Sequence, residues 1–316
     1  MKPILLLDTS VATTNIGDEI IMDAVRGVAY QLFPNAHVIT LPTHLYGGRR
    51  ARKLMKQSEL AIIGGTNLLA SDMWASRQWK ITLLDAIYLT NAFLLGVGWR
   101  NYGSAPTPYS KLLLRTALEK TGVHSVRDSY TLRKLHQAGI KNAANTACPT
   151  LWLVDCDKLS LAVKNKKNAV VTTITAYRKN KQRDSQLLNS LRAIYAERYF
   201  WPQGLYDYEY AREELGLEGF RVLPPTLKAF DEILVGGCDY MGTRLHAGIR
   251  ALQKGQYARV VALDNRATEM ERDFGVPLLT NTDVDSVAKD AVYSRFLNIS
   301  LPWSRIEQWK QQFLSA

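Results

Sequence analysis

Short apolar segments alternate with amphipathic segments along almost the whole chain of 316 residues. In the first half, buried strands are predicted at PILLLD (3–8), AHVITL (36–41), LAIIGG (60–65), AFLLGVGW (92–99) and VHSVRD (123–128). After a polar segment at 155–168, strands are predicted at AVVTTITA (169–176), GFRVLPP (219–225), DYMGTR (239–244), ARVVALD (258–264) and VPLLT (276–280). Residues between them repeat apolar side chains at helical spacing, for example at 184–199. This order predicts parallel sheets covered by helices on both faces.

The polar segment divides the series into two halves. We therefore predict an α/β protein with two Rossmann-like domains facing a central cleft: residues 1–160, residues 161–290, and a helical tail at 291–316 that can cross back to the first domain. Ligands of open parallel sheets bind beyond the carboxyl ends of the strands. A cleft between two such sheets offers two facing ligand surfaces.

The cysteines and the apolar segments indicate the cellular location and argue against a metal site. The three cysteines (148, 156 and 238) have no metal-ligand spacing, so we predict no metal site and a reducing cytoplasm. The first apolar run is too short for a signal peptide, and the region 83–99 is interrupted by Asp85 and Asn91, which argues against a membrane span.

The net charge of +11 is uneven, because the first 150 residues carry 17 Lys and Arg against 9 Asp and Glu. The segment GGRRARKLMK (47–56) is the most basic. It is either a solvated helix face or a patch that contacts anionic lipid head groups or a phosphate-bearing acceptor. In the second case the first domain is the acceptor side, and the domain at 161–290 is the donor side. Stacking aromatics do not alternate with these residues, so nucleic acid is not the expected partner.

The segment GTRLHAGIRALQKG (242–255) places Arg244, Leu245 and His246 between a strand and a helix. Helix N-termini attract anions, arginine binds phosphate or carboxylate, and histidine exchanges protons near neutral pH. The alternative is structural, with Arg244 paired to a surface carboxylate and His246 satisfying a buried carbonyl. Arg127 occupies the equivalent place in the first domain, where the preferred interpretation is a surface pair of Arg127 with Asp128 and Ser129 as the cap of the next helix. Two such arginines in one cleft suit a ligand with two anionic ends.

Glycine-containing turns follow two strands of the first half. Asn15, Gly17 and Asp18 offer a tight turn and polar side chains for sugar hydroxyls, although an ordinary capped turn is the preferred interpretation. Gly64, Gly65 and Thr66 are not a dinucleotide fingerprint, which needs three glycines. Arg266 follows another strand. The aromatic run at 199–210 either stacks on a sugar or packs a loop, and packing is the preferred interpretation.

Four segments in this order resemble the polysaccharide pyruvyl transferase family: NIGD (15–18), IIGGTNLL (62–69), SVRDSYTLRKLHQAGI (125–140) and DYMGTRLHAGIRALQKG (239–255). The resemblance implies two domains of GT-B type and a transfer of the pyruvyl group of phosphoenolpyruvate to a sugar of a cell-surface polysaccharide or its lipid-linked precursor, forming a ketal. It implies no cofactor, because phosphoenolpyruvate is the donor substrate.

The resemblance also implies residue roles. Arg127 and Arg244 hold the donor, and His246 is the general acid. The remaining residues of the implied substrate site are Asn15, Gly17, Asp18, Gly64, Gly65, Thr66, Leu245 and Arg266. The chain departs from the family pattern at Thr66, where a glycine is common, at Cys148-Pro149, where Asp-Pro is common, and at Arg266, where a lysine is common.

Two alternatives remain open at this stage. One is a glycosyltransferase of GT-B type that uses a nucleotide sugar in polysaccharide biosynthesis, because one fold hosts several functions. The other is a homologue without activity that binds polysaccharide or a partner protein.

Overall fold

The computed structural model describes residues 3–89, 91–156, 159, 166–279, 295 and 297–314. The chain forms two compact units. The first comprises residues 1–13, 21–152 and 301–316, and the second comprises residues 14–20 and 153–300. Each unit contains a parallel sheet with helices, as the alternating segments predicted.

The first unit contains a four-stranded sheet in the order β2-β1-β3-β4, continued by the parallel pair β5-β6 through a bridge between Val97 and Val126. Its strands are β1 (Ile4–Asp8), β2 (Val38–Pro42), β3 (Leu60–Gly64), β4 (Ala92–Leu95), β5 (His124–Val126) and β6 (Ala143–Asn145). Its helices are α1 (Gly17–Leu32, whose first turn belongs to the second unit), α2 (Arg49–Gln57), α3 (Met73–Ser76), α4 (Leu83–Tyr88), α5 (Pro108–Ala117) and α6 (Ser129–Gln137).

The second unit contains a six-stranded parallel sheet in the order β12-β11-β10-β7-β8-β9. Its strands are β7 (Ala169–Thr172), β8 (Glu197–Phe200), β9 (Arg221–Val222), β10 (Asp239–Gly242), β11 (Ala258–Val261) and β12 (Leu278–Leu279). Its helices are α7 (Lys181–Ile194), α8 (Asp207–Tyr210), α9 (Leu227–Val235), α10 (Leu245–Gln253) and α11 (Asn265–Phe274). Strands β10 and β11 are neighbours, so their carboxyl ends lie side by side.

Helix α12 (Trp303–Leu314) belongs to the first unit. The Trp309 ring contacts that of Trp152 at 6.1 Å between centroids, and Phe313 contacts Phe93 at 4.9 Å. Of the predicted tail, residues 291–294, 296, 315 and 316 lie outside the described residues.

Three predicted details are wrong. The helix expected at 184–199 ends at Ile194 and gives way to strand β8, strand β4 ends at Leu95 because Gly96 is left-handed (φ +63°), and Asp128 rather than Ser129 caps α6.

Candidate functional site

Five predicted site residues line one small cavity of about 20 Å³ in the second unit: Asn15, Arg244, Leu245, His246 and Arg266. The cavity lies where strands β10 and β11 end and helices α10 and α11 begin. The N-cap residue of α10, Arg244, does not cap the helix with its side chain. Amides of a first helical turn lack partners inside the helix, and the helix dipole there favours an anion. The cavity is therefore suited to a negatively charged ligand.

The Arg244 guanidinium is held in place by Asp207. Its Nε donates to Asp207 Oδ2 at 3.0 Å and its Nη2 to Asp207 Oδ1 at 2.6 Å, while the side chain is only 6 % exposed. The Tyr177 ring lies 5.0 Å from the guanidinium carbon, in cation–π contact. Within the described residues, Nη1 of Arg244 has no hydrogen-bond partner. One edge of the guanidinium is thus fixed, and the other remains available to a ligand.

Arg266 is held in a similar way on the neighbouring helix. Its Nε and Nη2 donate to Asp264, the N-cap residue of α11, and Nη2 also donates to the Tyr177 hydroxyl at 2.9 Å. Burial alone lowers the pKa of Arg266, but the Asp264 carboxylate outweighs burial and raises this pKa above its ordinary value. The guanidinium therefore stays charged. As in Arg244, Nη1 has no partner in the part of the chain that the structure describes.

His246 lies in the first turn of α10 and is 4 % exposed. The turn that precedes it is fixed by Tyr240, whose hydroxyl donates to the Arg244 carbonyl at 2.8 Å. Burial raises the pKa of Tyr240, so this hydroxyl stays protonated and keeps its role as a donor. This hydrogen bond holds the backbone from which the Arg244 and His246 side chains extend.

Asn15 reaches the cavity through a loop that pairs with residues after β8. Its Oδ1 accepts from the Gly17 amide at 3.1 Å and from Gln203 Nε2 at 2.7 Å. A Cβ at Gly17 would lie 2.6 Å from Gln203 Nε2, which explains the glycine. Asp18 is buried in the first turn of α1 and does not line the cavity. Of this motif, therefore, only Asn15 borders the ligand space.

Arg127 lies in the first unit and is completely buried. Its Nε donates to Asp128 at 3.1 Å, its Nη2 donates to Asn67 at 2.5 Å, and Gly98 lies so close that a Cβ there would meet the guanidinium at 2.1 Å. Its buried Nη1 has no partner among the described residues. Arg127 thus repeats the arrangement of Arg244 and Arg266, with one edge bonded and Nη1 unpaired.

Gly64, Gly65 and Thr66 form the turn after β3 in the first unit. Side chains of α1 pack so closely that a Cβ on Gly65 would lie 2.2 Å from Ile21. Thr66 has a left-handed backbone (φ +64°), a conformation in which a Cβ is strained. Glycine adopts this conformation without that strain.

Thr66→Gly should be more stable than Thr66→Ala by about 1 kcal/mol, because both lose the hydroxyl and only alanine keeps the strained Cβ. Urea unfolding of the two variants measures this difference. At an unstrained position, a protein with alanine is usually more stable than one with glycine by about 0.5–1 kcal/mol. A Thr66→Ala variant more stable than Thr66→Gly would therefore show that the strain is absent.

Sequence reasoning missed four residues around the second-unit cavity: Tyr177, Gln203, Asp207 and Asp264. Tyr177 and Gln203 follow the carboxyl ends of β7 and β8, so the rule for parallel sheets could have indicated them. Among the described residues, no cluster of three or more His, Cys, Asp or Glu side chains could hold a metal ion.

The sequence profile of the polysaccharide pyruvyl transferase family matches residues 15–265. The chain belongs to this family. The matched range contains Arg127 of the first unit and the cavity residues Asn15, Arg244, Leu245 and His246, whereas Arg266 lies one residue beyond it. The family assignment makes this pyruvyl transferase homologue an enzyme of the transferase class. No curated protein sequence matches the chain.

Solved structures similar to this pyruvyl transferase homologue have the GT-B fold. A structure of S. aureus MnaA with UDP aligns with a TM-score of 0.61 and 12 % identity, covering 100 % of this chain and 97 % of that one. The UDP-GlcNAc 2-epimerase of Methanocaldococcus jannaschii, solved with UDP-GlcNAc and UDP, aligns with a TM-score of 0.56 and 10 % identity, covering 96 % and 95 %. At this level of identity the similarity establishes the fold.

Proposed function

We propose that the protein transfers the pyruvyl group of phosphoenolpyruvate to a sugar of a cell-surface polysaccharide or its lipid-linked precursor, forming a pyruvate ketal. The observation that carries the proposal is the cavity in which Arg244, Arg266 and His246 meet at a helix N-terminus. Phosphoenolpyruvate carries a phosphate and a carboxylate on three carbons. Guanidinium groups with an unpaired Nη1 match such a ligand, because each offers charged donors without reorienting.

In the proposed reaction, His246 gives a proton to the methylene carbon, and positive charge develops on the adjacent carbon. A sugar hydroxyl attacks that carbon and loses its proton. The bond from this carbon to the phosphate oxygen then breaks, and phosphate leaves with the bonding electrons. A second sugar hydroxyl attacks and loses its proton, which closes the ketal. Arg244 and Arg266 stabilise the anionic groups of the donor.

The test is phosphate release from phosphoenolpyruvate in the presence and absence of sugar acceptors, with binding followed by thermal unfolding. We expect phosphoenolpyruvate to raise the unfolding temperature by mass action. The competing function is a glycosyltransferase, because the similar solved structures contain UDP or UDP-GlcNAc. Stabilisation by UDP or UDP-GlcNAc but not by phosphoenolpyruvate would favour that function.

We further propose that the protein is cytoplasmic and contacts the inner face of the membrane through α2. Among the described residues, no helix combines the length and hydrophobicity that a membrane span needs. Within α2, Arg49, Arg50, Lys53 and Lys56 are exposed, whereas Arg52 pairs with Asp85 at 2.7 Å. Exposed lysine and arginine side chains contribute about 1 kcal/mol each to binding at an anionic surface.

Replacing Arg49, Arg50, Lys53 and Lys56 with glutamine should abolish co-sedimentation with phosphatidylglycerol vesicles. Binding of the unmodified protein should also disappear at 1 M salt, where the Debye length falls to about 3 Å. The matched control replaces four exposed basic residues of the second unit: Lys181, Arg212, Arg221 and Lys228. Equal loss in both variants, or no binding by the unmodified protein, would contradict the proposed contact.

A further inference from the structure

A second cavity of the second unit shares Tyr177 with the cavity that contains His246. It has a volume of about 340 Å³ and is bordered by Tyr177, Tyr206, Glu209 and Glu213. Ligand cavities commonly have volumes of about 300–1,000 Å³. The shared tyrosine means that a ligand in the second cavity would lie next to the proposed donor.

The side chains of this cavity match the surface of a sugar. Tyr177 and Tyr206 are 58 % and 64 % exposed, so their rings can cover the apolar C–H face of a pyranose and their hydroxyls can meet its polar edge. The Glu209 carboxylate is exposed and has no partner among the described residues, which leaves it free to accept from sugar hydroxyls. Tyr177 is also held in position, since it receives a hydrogen bond from Arg266 and contacts Arg244.

Gln203 provides independent support from the donor cavity. It is 3 % exposed, its Nε2 donates to Asn15, and its Oε1 is buried without a partner in the part of the chain that the structure describes. A buried acceptor that stays unpaired is costly. Phosphate and carboxylate groups cannot satisfy Gln203 Oε1, because they offer acceptors themselves, whereas a sugar hydroxyl can donate to it.

We infer that the cavity bordered by Tyr177, Tyr206 and Glu209 binds the acceptor saccharide, and that Gln203 Oε1 accepts a hydrogen bond from the attacking hydroxyl. The inference rests on the proposed function and specifies where its second substrate binds. It places the acceptor on the second unit. The basic charge of the first domain had instead predicted that the acceptor binds to the first domain.

The inference is tested by titrating the full chain with the methyl glycosides of glucose, galactose, mannose, N-acetylglucosamine and N-acetylmannosamine, using ligand-observed NMR. We expect at least one glycoside to bind. Tyr206→Ala and Glu209→Gln should each weaken its binding about two- to tenfold. Tyr208→Ala is the matched control, because this neighbouring tyrosine contacts Arg212 and does not border the cavity.

Gln203→Leu should weaken glycoside binding as well. Its control is Gln256→Leu, since Gln256 Oε1 is also buried and unpaired but borders neither cavity. Thermal unfolding of both variants separates lost binding from lost folding. No binding by any glycoside, or equal binding by all variants, would overturn the inference. Stabilisation by phosphoenolpyruvate is measured in parallel and tests the donor independently, so a failure of one proposal is distinguishable from a failure of the other.

Discussion

Replacing His246 with glutamine should lower the rate of phosphate release from phosphoenolpyruvate by about 10²–10⁴-fold, the usual contribution of a general acid. Glutamine fills similar space but cannot deliver a proton to carbon. Because Arg244 and Arg266 remain, phosphoenolpyruvate should still raise the unfolding temperature of this variant. The expected result is thus lost turnover with retained donor binding.

The proton transfer itself has a direct readout. In heavy water, the unmodified protein should place deuterium in the methyl group of the transferred pyruvyl unit, which mass spectrometry of the product measures. His136→Gln is the control, because His136 lies on α6 in the first unit. A rate for His246→Gln within tenfold of the unmodified protein would mean that another group supplies the proton.

Local sequence signals predicted the segments where one physical rule dominates. Gly139 was expected to end helix α6, and it has the left-handed backbone that such a position favours (φ +88°). The Leu5 and Leu7 side chains pack in one core of the first unit and Leu6 in the other, as expected for a strand covered on both faces. Periodicity was sufficient in these cases because each depends on a few consecutive residues.

Strand β8 escaped prediction because its sequence continues the apolar spacing of α7. The helix ends at Ile194, and the hydroxyl of the next residue, Tyr195, donates to Asp239 at 2.9 Å. That carboxylate also pairs with Arg295 at 2.8 Å. The aromatic run that follows divides between packing and exposure, with Trp201 stacked on Phe230 at 4.0 Å and Tyr206 exposed. These contacts join residues far apart in the sequence, which no local pattern reveals.

The hydrogen-bond partners of the site arginines could not be predicted from the sequence either. Sequence identified Arg244 and Arg127 but gave no sign that Asp207 and Asn67, distant by 37 and 60 positions, bond to them. These partners determine which guanidinium nitrogens remain unpaired, because they hold one edge of each guanidinium in place. The sequence thus indicated which side chains to propose as anion ligands, and the fold determines how they are oriented.

Replacing Arg244 with alanine should remove about 2–4 kcal/mol of transition-state stabilisation, which lowers kcat/KM for phosphoenolpyruvate roughly 30- to 1,000-fold. Lysine should not restore activity, because it cannot bond to both Asp207 oxygens and still present a second donor to the ligand. The control is Arg250→Met on the same helix, where Asp231 binds Nε and Nη2 and Gln253 binds Nη1, leaving no edge for a ligand. This variant should use the donor normally.

Loss of Arg244 also leaves Asp207 buried at 1 % exposure without its charge partner, which costs about 3–5 kcal/mol of folding stability. A second variant, Arg244→Met with Asp207→Asn, removes that charge and should recover much of the stability. Its donor use should remain as poor as that of Arg244→Ala, because the cation that meets the anion is still absent. If this folded double variant used phosphoenolpyruvate as well as the unmodified protein, Arg244 would be a structural residue and the proposed donor site would be wrong.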